Sequence, residues 1–176
     1  MAKRHLLLFL ALVMLSFNAF SQTPTKPQGS GTQQNPYKIS TASEFLWITN
    51  DNDAYYIQTA DINLGTKTSS IISSFSGNYD GGGFTITYQA NFSTSYNNNH
   101  YALFGRVTGT ITNLNVNATV TATGEISSRN VALLCGLLDG GTIRYCTVSG
   151  SINNTTQGLG GGCQTGLLVG TCRGTI

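Results

Sequence analysis

The chain has 176 residues, 9% of them charged and 40% hydrophobic, with 9 Lys and Arg against 7 Asp and Glu for a formal charge of +2. That length allows one domain plus a targeting segment, and the hydrophobic share excludes simple disorder. With no basic run or stripe, the electrostatic drive for strong nucleic-acid or anionic-membrane binding is missing, so no nucleic-acid partner is expected.

The chain begins MAKRHLLLFLALVMLSFNAFSQ, with Lys3 and Arg4 ahead of an apolar run from Leu6 and small residues at Ala19 and Ser21. This is the layout of a signal peptide over residues 1–21, cleaved before Gln22. Cleavage takes two of the nine basic residues and leaves seven, equal to the seven acidic ones, so the mature chain carries zero formal charge. An exported protein is expected, extracellular or at the cell surface after periplasmic passage, with no transmembrane segment in the mature chain. No cysteine follows the apolar run to carry a lipid anchor.

Residues 22–31 begin QTPTKPQGS, hold two of the three prolines and read as a linker. Residues 32–56 read as an N-terminal capping segment. Within it, STASEFLWITND places Thr41 three residues before Glu44, the capping-box spacing, and predicts one short helix over about 41–50. Phe45, Leu46 and Ile48 around Trp47 would make its aromatic face a lid over the core.

From residue 57 to 176 the reading is β. AYYIQTADINLG and FTITYQANF are rich in aromatic and β-branched residues and read as strands. Between them, FSGNYDGGGFTI sets Asp80 before Gly81, Gly82 and Gly83, a stretch suited to positive φ. A phosphate cradle would need a lysine or a following helix; a strand follows, so the reading is a tight turn.

The Gly-Thr-Ile triplets ending at Ile111, Ile143 and Ile176 lie 32 and 33 residues apart. Self-similarity at this period marks stacked units. Leu114 aligns with Cys146, Val116 with Val148, Ala118 with Gly150 and Val120 with Ile152, alternating with Asn, Thr and Ser. Alternation means strands with one face buried. With no 3.6-residue periodicity for a helical repeat, a β-solenoid is expected, its core ladder built from Leu114, Val116, Val120, Cys146, Val148 and Ile152. Leu103-Phe104, Leu134-Cys135 and Leu168-Val169 also coincide between copies.

Cys135 and Cys146 therefore read as core residues, and Cys172 falls near the column of Val107. Cys163, in the Gly-rich bend GLGGGCQTG, is the cysteine expected outside and open to a disulfide in an oxidising compartment. The cysteine spacing is not that of a zinc site.

The ordered series GSGTQQNPYKISTASEFLWI, YYIQTADINL, FSGNYDGGGFTI, YALFGRVTGTITNL and GTIRYCTVSGSI resembles the GLUG-motif β-helix proteins. These are exported bacterial surface proteins, also met as repeats beside IgA-specific peptidase modules. The resemblance covers about residues 29–176, with repeats from about 101, 131 and 165. It implies a right-handed parallel β-helix with an N-terminal cap and an adhesin-like role. At Asp80, Gly81 and Gly83 it implies turn geometry, at Cys146 a core cysteine, and nowhere a catalytic residue. The chain departs from the pattern at Ala102 and Ala132, where adjacent glycines are usual. Family members also continue through further copies, so the expectation is a C-terminus truncated inside a coil. That coil, uncapped, is expected to self-associate or to fray from Thr165 onward.

The function expected is a non-enzymatic surface module, adhesin-like or structural, with a glycan or a host-surface protein as partner. Phe92, Tyr96 and His100 in TYQANFSTSYNNNHY are the candidate glycan contacts, because aromatic faces beside amides suit sugar rings. The alternative is a polysaccharide lyase or glycosidase. A glycosidase needs two facing carboxylates about 5–9.5 Å apart, and Asp61 with Asp80 is the pair the sequence offers among Glu44, Asp51, Asp53, Asp61, Asp80, Glu125 and Asp139. No catalytic residue, cofactor or metal ligand is assigned.

Overall fold

The computed structural model describes residues 23–94, 100–126, 129–155, 157–158 and 163–176. The apolar segment read as a signal peptide lies outside them. Among the described residues no helix is long and apolar enough to cross a membrane.

The fold is all-β, with parallel sheets and, among the described residues, one short helix. Strand β1 (Tyr37–Ile39) is followed by helix α1 (Ala42–Leu46) and a 3-10 turn (Trp47–Thr49). Then come β2 (Tyr55–Gln58), β3 (Ile62–Lys67), β4 (Ile72–Phe75), β5 (Asn78–Asp80), β6 (Thr85–Thr94), β7 (His100–Tyr101), β8 (Phe104–Val107) and β9 (Thr110–Thr112). The remaining strands are β10 (Asn115–Ile126), β11 (Arg129–Ala132), β12 (Cys135–Leu138), β13 (Thr142–Arg144), β14 (Thr147–Asn154), β15 (Gln157–Gly158), β16 (Cys163–Gly166) and β17 (Val169–Cys172).

Among the described residues four open sheets result, ordered β1-β2-β5-β9-β13, β3-β6-β10-β14, β4-β8-β12-β17 and β7-β11-β16, with β15 beside β10. The repeat period is also the pairing register. Val116 lies beside Val148 and Val120 beside Ile152, Phe104 joins Cys135 and then Val169, and Thr110 joins Thr142, which bridges to Thr175. Leu114 and Cys146 precede the first of these ladders at the same offset, and the Thr147 N–H donates to the Leu114 carbonyl at 3.0 Å. Parallel neighbours share hydrogen bonds at about 4.8 Å spacing, so equivalent side chains line up in columns.

Leu114, Val116 and Val120 are fully buried, whereas Cys146, Val148 and Ile152 are half-buried, because β14 is the edge of its sheet. Cys135 is fully buried and Cys172 exposed, beside Leu138, itself beside Val107. The Cys163 side chain lies outside the described ones.

The short strands β4 and β5 escape a sequence reading because three or four residues carry too little alternation to register. The Asp80 turn is also more divided than its glycines suggested. Gly82 and Gly83 take positive φ and Gly81 does not. Gly81 is needed for close approach instead, since a Cβ there would sit 2.5 Å from the Leu114 Cα. Asp80 Oδ1 accepts from the Gly82 N–H at 2.9 Å and the Asn113 side-chain amide at 3.0 Å.

At the N-terminal side, Thr41 and Glu44 form the reciprocal capping box of α1. Burial tends to raise the Glu44 pKa, but hydrogen bonds from Ser40 and Thr41 outweigh it and hold the carboxyl below its ordinary value. The helix inserts Phe45 among rings from three strands. Its centroid lies 5.8 Å from both Tyr79 and Phe104, and Phe104 lies 5.3 Å from Phe75. The Tyr79 hydroxyl donates to Gln58 Oε1 at 2.9 Å, and the Gln58 amide donates to the Ala60 carbonyl, so these two buried side chains are paired, whereas the buried Trp47 Nε1–H has no hydrogen-bond partner among the described residues.

Candidate functional site

The described residues include two of the three glycan-contact candidates and place them differently. Phe92 is a correction: only 1% exposed, it packs on Tyr101 at 4.9 Å and has no face to offer a sugar. The signal for this was present, since Ile86, Tyr88, Ala90 and Phe92 share one parity along β6 and all are buried. Tyr96 lies outside the described residues. His100 lines a pocket.

That pocket forms where β7 turns into β8. Tyr101, Phe104 and Val107 point into the core, which turns His100 and Arg106 outward on the two sides of the corner. Gly105 makes the corner tight, because a Cβ there would meet the Ser73 carbonyl oxygen at 2.7 Å and that of His100 at 3.0 Å. Below, β4 continues under β8, but among the described strands β7 is the last of its own sheet. Ser69, Ser70, Ser73 and Ser74 occupy the space beneath, and their small side chains leave a pocket of about 340 Å³.

A polar ladder holds His100 in place. His100, Asn130 and Gln164 are register partners across β7, β11 and β16. The Thr171 hydroxyl lies 2.8 Å from Asn130 Oδ1 and also contacts Gln164, and the Asn130 amide nitrogen lies 3.0 Å from His100 Nδ1. The Ser70 hydroxyl donates to the His100 carbonyl. This ladder joins residues 30 and 34 apart, a repeat that unlike side chains hide from a sequence reading.

Burial lowers the His100 pKa, Arg106 and Arg173 add to that effect, and Asp139 opposes it. Arg106 is half exposed and pairs with Asp139. Both its Nε, at 3.0 Å, and one Nη donate to the same carboxylate oxygen. The hydrogen bond from Arg106 is the main cause holding Asp139 below the ordinary carboxylate range.

Three other carboxylates are engaged in structural hydrogen bonds. Asp61 accepts from the Thr85 N–H at 2.8 Å, Asp80 holds its turn, and Glu44 caps its helix. Among the described residues no three His, Cys, Asp or Glu side chains group closely enough to hold a metal ion.

A second surface is distinguished by what it lacks. The outward positions of the β3-β6-β10-β14 sheet include Thr87, Gln89 and Asn91 on β6, Asn117 and Thr119 on β10, and Ser149, Ser151 and Asn153 on β14, all exposed. They present hydroxyls and amides without charge. The chain matches no protein-family model, no curated protein and no solved structure.

Proposed function

We propose that this chain is an exported, non-enzymatic surface module, adhesin-like or scaffolding, that contacts glycans. In this reading the four parallel sheets are the faces of a right-handed parallel β-helix of the GLUG-motif kind, with α1 as its N-terminal lid. The observation that carries it is the parallel ladder at the repeat period, from Thr110 through Thr142 to Thr175 and from Phe104 through Cys135 to Val169. Stacking of this kind builds a rigid body from nearest-neighbour contacts and leaves long outer faces for recognition. The uncharged hydroxyl and amide face suits sugar hydroxyls. The engagement of Asp61, Asp80 and Glu44 in backbone hydrogen bonds favours binding over turnover.

Two measurements test the reading. Secretion from a bacterial host should yield a chain whose first residue is Gln22. On immobilised glycans the folded protein should be retained without consuming them. Release of unsaturated uronate product, abolished by Asp80→Asn with the fold intact, would replace this reading with a lyase.

A further inference from the structure

We infer that the corner pocket beneath His100 and Arg106 binds the carboxylate of an acidic saccharide, an inference that rests on the glycan-contact reading above. The pocket's volume of about 340 Å³ falls at the lower end of ligand sites, which run to roughly 300–1,000 Å³. Its floor is the four serines Ser69, Ser70, Ser73 and Ser74, and its walls carry His100 and Arg106. Hydroxyls suit the ring hydroxyls of a pyranose, and a guanidinium suits its carboxylate.

Three details point to an acid. Arg106 spends two of its N–H donors on one oxygen of Asp139, and a guanidinium has five donors in a planar fork that matches a carboxylate. The remaining donors can serve a ligand. Second, Asn130 turns its Oδ1 to the Thr171 hydroxyl, 2.8 Å away, and its amide N–H to His100 Nδ1, 3.0 Å away. An acceptor at Nδ1 leaves the proton of a neutral imidazole on Nε2, where it is a donor. Third, the charged groups felt by the ring are Arg106 from β8, Arg173 beyond β17 and Asp139 beyond β12, two cations against one anion. An arriving carboxylate meets a donor-rich corner with a net positive surround, and its one rival is Asp139.

The test uses the histidine count. The chain has two histidines, His5 and His100, so the protein beginning at Gln22 carries His100 alone. Its ring resonance can be titrated by NMR in the presence of methyl glucuronide, methyl glucoside or acetate. Bound uronate should raise the His100 pKa by about half a unit to one unit, because an opposite charge nearby favours the imidazolium. By reciprocity, uronate should bind about three- to tenfold tighter below that pKa than above it. Arg106→Gln should weaken uronate binding at least about tenfold, as expected for loss of a charge-assisted bond. Asp139→Asn should strengthen it by about three- to tenfold, since the rival acceptor is gone.

No His100 response to uronate in the unaltered protein and in Asp139→Asn overturns the inference. So does an equal response to methyl glucoside, which would mean hydroxyl recognition alone, or to acetate, which would mean a site blind to the sugar. If immobilised neutral glycans still retain the protein in those cases, the broader reading stands. Failure to bind any glycan removes both.

Discussion

Replacing Phe104 with alanine tests the packing on which the stacked layers depend. Phe104 is fully buried and sits in the column Ile72, Phe104, Cys135 and Val169. Its ring meets those of Phe75 at 5.3 Å, Phe45 at 5.8 Å and Tyr79 at 5.9 Å. Removing a buried phenylalanine costs about 3–5 kcal/mol in lost transfer energy and cavity formation. Three aromatic neighbours at once, each pair worth about 0.5–1.5 kcal/mol, place this site at the upper end, near 4–5 kcal/mol. The assay is equilibrium unfolding in urea. With a slope of about 2.5 kcal/mol per molar, the midpoint should fall by about 1.6–2 M at unchanged slope. The double substitution with Phe45→Ala should be less damaging than the sum of the two single ones by about 1 kcal/mol, because the helix and strand rings are in direct contact. A cost below about 2 kcal/mol, or strictly additive effects, would refute the account of α1 as a lid keyed into the core through this ring.

Two glycines separate steric from conformational cost. Gly150→Ala should destabilise by more than about 2 kcal/mol, since its φ is +121° and a Cβ would lie 1.8 Å from the Ala118 carbonyl oxygen. Gly83→Ala, with φ +78° and open space, should cost only about 1–2 kcal/mol in the same urea assay. With a thiol-reactive chromogen, Cys172, which is exposed, should be modified well before Cys135, whose pKa is pushed up to about 12, chiefly by burial; equal rates would contradict the burial of Cys135. Finally, among the described residues the edge strands β14 and β17 carry half-buried Val148, Ile152 and Val169 beside Leu167 and Ile176, 51% and 63% exposed, an apolar surface that a second copy of this 176-residue chain can cover. Sedimentation should show concentration-dependent dimers that a charge at Val148→Lys disrupts; a monomer with strongly exchange-protected amides from Thr165 onward would argue against this.

The strand register was legible in the amino-acid pattern alone. Because a strand alternates its faces every residue, and parallel neighbours in register stack like on like, a 32-residue period with matched parity fixes which side chains meet: Val116 with Val148, Val120 with Ile152. The same rule, carried on from Ile86, reaches Phe92 and buries it. Helix α1 was likewise local, set by one hydroxyl and one carboxylate three residues apart. Where the repeat is imperfect, the contacts follow from the packing of the folded chain. Phe75 and Tyr79 keep the period, 32 residues before their partners Val107 and Ile111, but Phe45 on α1 and Tyr56, 23 residues before Tyr79, do not, and their rings meet because the chain folds back over itself. The corner pocket depends on one sheet ending at β7 while its neighbour continues to β4. Such a vacancy is a property of which layers lie adjacent, and no local pattern around His100 or Arg106 encodes it.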